Sequence, residues 1–400
     1  MNRKAENGER QTDSRQAADA GFIPLIVPEI HGNEWKYVKE CLDTNWVSSV
    51  GSFVDRFEQA MASYVGCKKA VATVNGTAAI HVALQVVGVQ ADEEVLVSDL
   101  TFIAPVNAVR YRGAWPVLID AEPDYWQMDP QKVVDFLQRQ CTWKGGRLLN
   151  NATGRRVAAV LPVHVLGHPV DMDPILEAAG KFELPVIEDA TESLGAKYKG
   201  RMVGSLGHMA CFSYNGNKII TTGGGGMIVT DHEAWADKAK YLSTQAKDDP
   251  LEYIHHEVGY NYRLTNVLAA IGVGQMEQLD PYVAVKRRVA QAYTDGLRDV
   301  PGIRPMNEAP WAWSTYWMYT VLVDRQAYGM GSRDLLHKLA QQRIQARPLW
   351  QPMHASPAYA AMKPAACPVA ERLHRDALSL PCSVGITEAQ VQRVVDAVRA

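Results

Sequence analysis

Short apolar runs alternate with helix-patterned segments from about residue 70 to about residue 235, and this alternation constrains the fold more than any other feature of the chain. The runs lie at Ala70–Val74, Val95–Ser98, Val117–Ile119, Val157–Val163, Leu184–Ile187, Met209–Ser213 and Met227–Thr230. Most are apolar without a break, as strands covered on both faces are. A chain that alternates in this way forms an α/β layered domain. Ahead of them, Phe53, Phe57, Ala60 and Tyr64 recur at helical spacing, which predicts a helix with one face buried against the sheet.

Two segments depart from the alternation. Residues 141–156, CTWKGGRLLNNATGRR, bring together Gly, Asn and basic residues and predict an exposed hairpin or loop. Near Leu279–Pro281 a long basic helical stretch begins, and a second run of strands and helices follows. We therefore expect a large domain over residues 22–281 and a smaller α+β domain over 282–400. The latter ends in a helix with Val391, Val394, Val395 and Val398 in one stripe and Thr387 and Gln390 spaced as a capping box. Residues 1–21 are polar and read as a disordered leader.

Composition narrows the function classes. The chain has 400 residues, 47% hydrophobic and 21% charged, with a formal net charge of −3, so it can bury a substantial core and shows no basic stripe for nucleic acid or a membrane surface. No apolar run reaches the roughly 18 residues of a membrane span, and the leader lacks the apolar core of a signal peptide. A cytoplasmic protein with small-molecule partners is expected. Its six cysteines are scattered without a Cys-x-x-Cys pair, so they predict neither a disulfide framework nor a zinc ribbon.

Four segments carry the chemistry. In Ala70–Ile80, AVATVNGTAAI, Gly76 and Thr77 open a helix, leaving backbone N–H groups and the positive end of the helix free for an anion. In LPVIEDATES, an apolar strand runs into Glu188 and Asp189, where α/β sheets bind their ligands. These neighbours point to opposite faces, so only one can hold a ring nitrogen protonated. In Cys211–Gly226, a strand ending at Ser213 leads to Lys218 and then four glycines. The order fits neither a Walker loop nor a dinucleotide turn, while a lysine so placed can form an imine and shuttle protons. The fourth, VGYNYRL, offers Asn261 and Arg263 for anion contacts, with tyrosines that pack.

In this order and at these separations the segments resemble the DegT/DnrJ/EryC1/StrS family of sugar aminotransferases over about residues 22–400. The matching stretches are FEQAMASYVG, NGTAAIHVAL, DLTFIAPVNAVRYRGAWPVLID, VHVLGHPVDMDPI, EDATESLGAKYKG, FSYNGNKIITTGGGG and GYNYR. The resemblance implies the aspartate aminotransferase fold, pyridoxal 5′-phosphate as cofactor, L-glutamate as amino donor, a nucleotide-linked keto sugar as acceptor and a homodimer with composite sites. It makes Lys218 the cofactor-bearing lysine and Asp189, not Glu188, the partner of the pyridine nitrogen. Phe102 would lie over the ring, Gly76, Thr77 and Ser213 would hold the phosphate, and Asn261 would reach in from a second subunit. Glu192, where many members carry Gln, would adjoin the ring's 3′-oxygen, and Asn75 stands where Ser is commoner. NGNKIITTGGGG and QAK…YIHHEVGYNYR look most like enzymes that install the 4-amino group of UDP-2-acetamido-trideoxyhexoses for surface polysaccharides. They imply UDP-2-acetamido-2,6-dideoxy-4-keto-hexose as acceptor.

Competing readings are a sugar dehydratase of the same fold, which replaces the lysine with histidine, and a non-catalytic regulatory protein, which needs no cofactor. His164 and His168 are four apart but flank a Gly after a strand, so no metal is expected. The run Trp311–Trp317 reads as small-lobe packing ahead of a sugar platform. Arg347, Trp350 and His354 match a family loop near the active site and are candidate substrate contacts.

Overall fold

The computed structural model describes residues 21–249, 251–362 and 366–400; the leader expected over residues 1–21 lies, apart from Gly21, outside them. A four-stranded run orders Lys69–Thr73, Gly226–Thr230, Met209–Ser213 and Ile187–Asp189. A three-stranded run orders Trp115–Ile119, Glu94–Ser98 and Val157–Leu161. Parallel bridges from Val160 to Val186 and from Val163 to Asp189 join them into one sheet. Gly226–Thr230 runs antiparallel to both neighbours, and the other pairings are parallel. The carboxyl ends of the parallel strands therefore share one edge of the sheet, the edge at which this architecture binds ligands.

The helix predicted from Phe53 and Phe57 spans Ser52–Val65. It packs on the strand Lys69–Thr73 as expected, and Phe57 also lies against the helix Asn266–Met276, where a Cβ on Gly272 would come within 2.8 Å of the Phe57 ring. The absence of a side chain at Gly272 lets the two helices approach. Residues 141–156 contain the expected hairpin, Cys141–Lys144 paired with Arg147–Asn150.

A second sheet orders Ile303–Pro305, Tyr319–Val323, Ala377–Leu380 and Arg347–Pro348, all antiparallel. The helix Glu388–Arg399 buries Val391, Val394, Val395 and Val398, and the Thr387–Gln390 capping box is formed. The helix Leu279–Leu297 leads from the first sheet to the second, and the division proposed at residue 281 falls within its first turn. The Trp311–Trp317 run does not stay with the second sheet. Ala312–Trp313 pairs with Lys197–Tyr198 of the large lobe, which brings Trp317 to the strand edge where Lys218 lies.

Candidate active site

A cavity of about 270 Å³ opens at that edge, lined among others by Gly76, Phe102, Asp189, Glu192, Ser213 and Lys218. One wall is the start of the helix Gly76–Val86. Asn75 caps it, its side-chain oxygen accepting the Ala78 N–H at 2.8 Å. Asn in place of Ser is thus a capping choice, and Thr77 stays free to line the cavity. A Cβ on Gly76 would lie 2.9 Å from the Ser213 Cβ, so only glycine brings the helix start this close to the strand carrying Ser213. The glycine run divides its work: Gly223 adopts φ +81°, a left-handed turn, while a Cβ on Gly226 would strike the Asn75 backbone at 2.4 Å.

The opposite wall is the strand end. Both acids belong to the strand Ile187–Asp189, and the alternation of a strand sends them apart. Glu188 faces inward and is fully buried. It accepts from the N–H groups of Gly204 (2.9 Å), Leu206 (2.8 Å) and Gly207 (2.7 Å). His164 Nδ1 accepts the Val170 N–H at 2.9 Å, so its proton sits on Nε2 and is donated to Glu188 at 3.0 Å. Asp189 faces the cavity and takes the Thr191 N–H at 3.1 Å. Burial pushes its carboxyl above the usual range, opposed by Thr191 and by the positive charge of Lys218.

Lys218 rises from the turn after Ser213, its side chain 14% exposed and Nζ 3.9 Å from Glu192 Oε1. Burial lowers its pKa, while Glu192 and Asp189 pull the other way. Glu192 takes the N–H of Leu166 at 3.0 Å, a residue held at φ +62°. Burial pushes the Glu192 carboxyl up to about 7, against the pull of Lys218 and the Leu166 N–H. Trp317 closes this side: Lys218 Nζ stands 4.2 Å from the centre of its ring.

The structure thus brings together Gly76, Thr77, Phe102, Asp189, Glu192, Ser213 and Lys218, with Trp350 at the rim. It keeps Arg347, Asn261 and His354 off the cavity wall. Arg347 is exposed in a strand paired with Ser379. His354 is held at Nδ1 by Asp99 (2.7 Å) and at Nε2 by Glu371 (3.0 Å). Asn261 is exposed, while Tyr260 and Tyr262 stack at 4.9 Å. Asp99, His354 and Cys367 place three potential metal-ligand atoms within 4.8 Å of one another. His168 donates from Nδ1 to the Pro169 carbonyl (2.7 Å) and accepts the Ala309 N–H (3.0 Å), a structural pairing. Trp317 is the cavity residue that sequence reasoning assigned to packing.

Residues 28–399 match the DegT/DnrJ/EryC1/StrS aminotransferase family. The chain belongs to this family. It is 41% identical over 383 residues to the GDP-perosamine synthase of Caulobacter vibrioides, covering 95% of this chain and 98% of that protein. The structure of S. venezuelae DesV, in complex with a ketimine intermediate, superposes with a TM-score of 0.82 at 31% identity, covering 92% of this chain and 93% of that one. DesI, solved in the presence of its TDP-sugar product, gives a TM-score of 0.85 at 27% identity, covering 95% and 93%. The protein is a pyridoxal phosphate dependent sugar aminotransferase with the type I fold.

The aminotransferase's own residues fit that cofactor. The Gly76 cradle beside Ser213 suits a phosphate, Asp189 is a buried acid in need of a positive partner, and the Phe102 ring is left 54% exposed at the cavity. Lys218 is the one cationic side chain among the described residues lining it. Among the described residues no helix is long and apolar enough to cross a membrane.

Proposed function

We propose that the enzyme moves an amino group from L-glutamate to C4 of a nucleoside-diphosphate 4-keto-6-deoxyhexose, with Lys218 as the cofactor-bearing and proton-moving residue. The observation that carries this reading is the placement of Lys218 in a cavity with an anion cradle at one wall and Asp189 at the other. The cofactor, when bound, supplies an electron sink and a carrier for the amino group. Lys218 Nζ, its pKa lowered by burial, accepts a proton from the donor carbon and later returns one to sugar C4. Asp189 keeps the ring nitrogen protonated by a charge-assisted hydrogen bond. Gly76, Thr77 and Ser213 would hold the phosphate of the cofactor, Phe102 would cover its ring, and Glu192 would adjoin its phenolic oxygen, protonated or sharing a proton with it. Trp350 at the rim contacts the acceptor.

A homodimer with composite sites belongs to this reading, Asn261 of one subunit completing the phosphate pocket of the other; its support is that Asn261 is exposed and stands off its own subunit's cavity. Full activity in a monomer demonstrated by sedimentation would count against it. For the acceptor, the UDP-2-acetamido sugar expected from sequence belongs to the proposed class. Because the Caulobacter vibrioides relative is named for a GDP-linked product, we place a GDP-linked 4-keto sugar first. Incubation with L-glutamate and GDP-, UDP- or dTDP-linked 4-keto sugars, read by mass spectrometry, tests both statements. An amino sugar from the GDP substrate at the highest kcat/KM is expected. A preference for UDP would restore the earlier ranking, and no amination of any 4-keto sugar would refute the reaction.

A further inference from the structure

If Lys218 works as proposed above, it spends part of every turnover without a covalent bond, and its amine then needs a place in a cavity it shares with two acids. Among the described residues the charged groups facing it are Glu192 and Asp189. Its Nζ stands 3.9 Å from Glu192 Oε1, a long ion pair without a hydrogen bond. The amine at the same time stands over Trp317, 4.2 Å from the ring centre.

Trp317 is fixed from two sides. Its indole N–H donates to the Asn217 carbonyl at 2.7 Å, the peptide group from which Lys218 springs. Its own carbonyl accepts Lys286 Nζ at 2.7 Å, and Lys286, 1% exposed, also donates to the Cys382 carbonyl. The ring cannot turn away without leaving a buried donor or acceptor unpaired, which is costly. A π face attracts an ammonium most strongly where water is excluded, and Trp317 is 3% exposed.

We infer that Trp317, anchored by Lys286, is a positioning residue for Lys218: its ring holds the free amine between half-reactions, and its N–H fixes the peptide on which the lysine swings. The ring keeps the amine near the reacting carbons and shares it with Glu192, whose ion pair is too long for a hydrogen bond.

The test uses the holoenzyme converted to its amine form with L-glutamate and freed of the keto acid, so that Lys218 carries no covalent bond. Competitive acylation across pH, read at the Lys218 peptide by mass spectrometry, gives the titration midpoint of that amine. Trp317→Leu is expected to lower the midpoint, raising the labelling rate below it by roughly 2- to 30-fold. Trp317→Phe, which keeps a ring, is expected to hold the midpoint near that of the wild type while lowering kcat. Where Trp317→Leu does not fold, replacing tryptophan by fluorotryptophan weakens the ring's attraction at constant shape and should lower the midpoint by less. A midpoint that stays or rises overturns the inference, since mere admission of water would raise it. Borohydride reduction of the wild type separates the two levels. Label at another lysine defeats the assignment of Lys218, whereas label at Lys218 with an unmoved midpoint defeats only the role of Trp317.

Discussion

The two faces of the strand Ile187–Asp189 carry adjacent buried carboxylates in opposite surroundings. On the inner face Glu188 has its oxygens filled by three backbone N–H groups and the His164 imidazole. On the cavity face Asp189 is met by Thr191 and otherwise looks toward Lys218 and open space. Burial is the same, 0% and 1% exposed, so burial does not tell the two acids apart. What separates them is whether the surrounding chain satisfies the charge or leaves it for a ligand.

If that contrast is sound, damage to kinetics and damage to stability should fall on different faces. The largest effect is expected at Lys218: Lys218→Ala should lower kcat by about 10⁴-fold, the upper end of what positioned proton transfer contributes, with an unchanged circular dichroism spectrum. Glu188→Gln should come next, and in stability. Its amide would leave His164 and Gly204 with no acceptor, and each buried donor left unpaired costs about 1 to 3 kcal/mol. Urea unfolding should show this loss while kcat changes little. A variant as stable as the wild type would break the comparison.

Asp189→Asn should act in the reverse sense, lowering kcat by about 10- to 100-fold, the worth of a charge-assisted hydrogen bond of about 1.5 to 3 kcal/mol. Its unfolding midpoint should hold. Should Glu188→Gln prove the more damaging to turnover, the faces would have been assigned the wrong way round.

The last effect concerns Glu192 and is read through pH, with no change in the reaction itself needed to see it. Burial raises its folded-state carboxyl to about 7 from an ordinary 4.5. The folded chain therefore keeps a proton that the unfolded chain releases. The linked stability is present below about pH 4.5 and is lost as pH rises to about 7. On cofactor-free protein, the Tm of the wild type minus that of Glu192→Gln should fall across this window and level off above it. A constant difference would remove Glu192 from the proton network.

Much of this was readable along the chain. Met209–Ser213 forms the predicted strand to the residue, and the Thr387–Gln390 box caps the last helix as its spacing requires. Lys218 and the glycine run could be picked out because a turn that leads from one strand to the next past a ligand leaves a local pattern. The apolar run Leu184–Ile187 was expected as the strand leading into the two acids, whereas the strand begins at Ile187 and its extension holds both acids, through Asp189. That extension is decided by pairing with Met209–Cys211, a neighbour distant in sequence.

By itself, then, the sequence determined the order of elements, the family and the group of residues at the strand ends, because period, glycine placement and chain direction are properties of neighbouring residues. It also showed that Glu188 and Asp189 must face opposite ways. Only the tertiary structure decided which acid is satisfied, since the N–H groups of residues 204, 206 and 207 and the ring of His164 come from separate turns. It alone brought Trp317 to Lys218, through the pairing of Ala312–Trp313 with Lys197–Tyr198 and the reach of Lys286 from another helix. Such contacts join residues 31 positions apart (Lys286 and Trp317) and 100 apart (Asn217 and Trp317), and packing energy leaves no periodic mark in the chain that makes it.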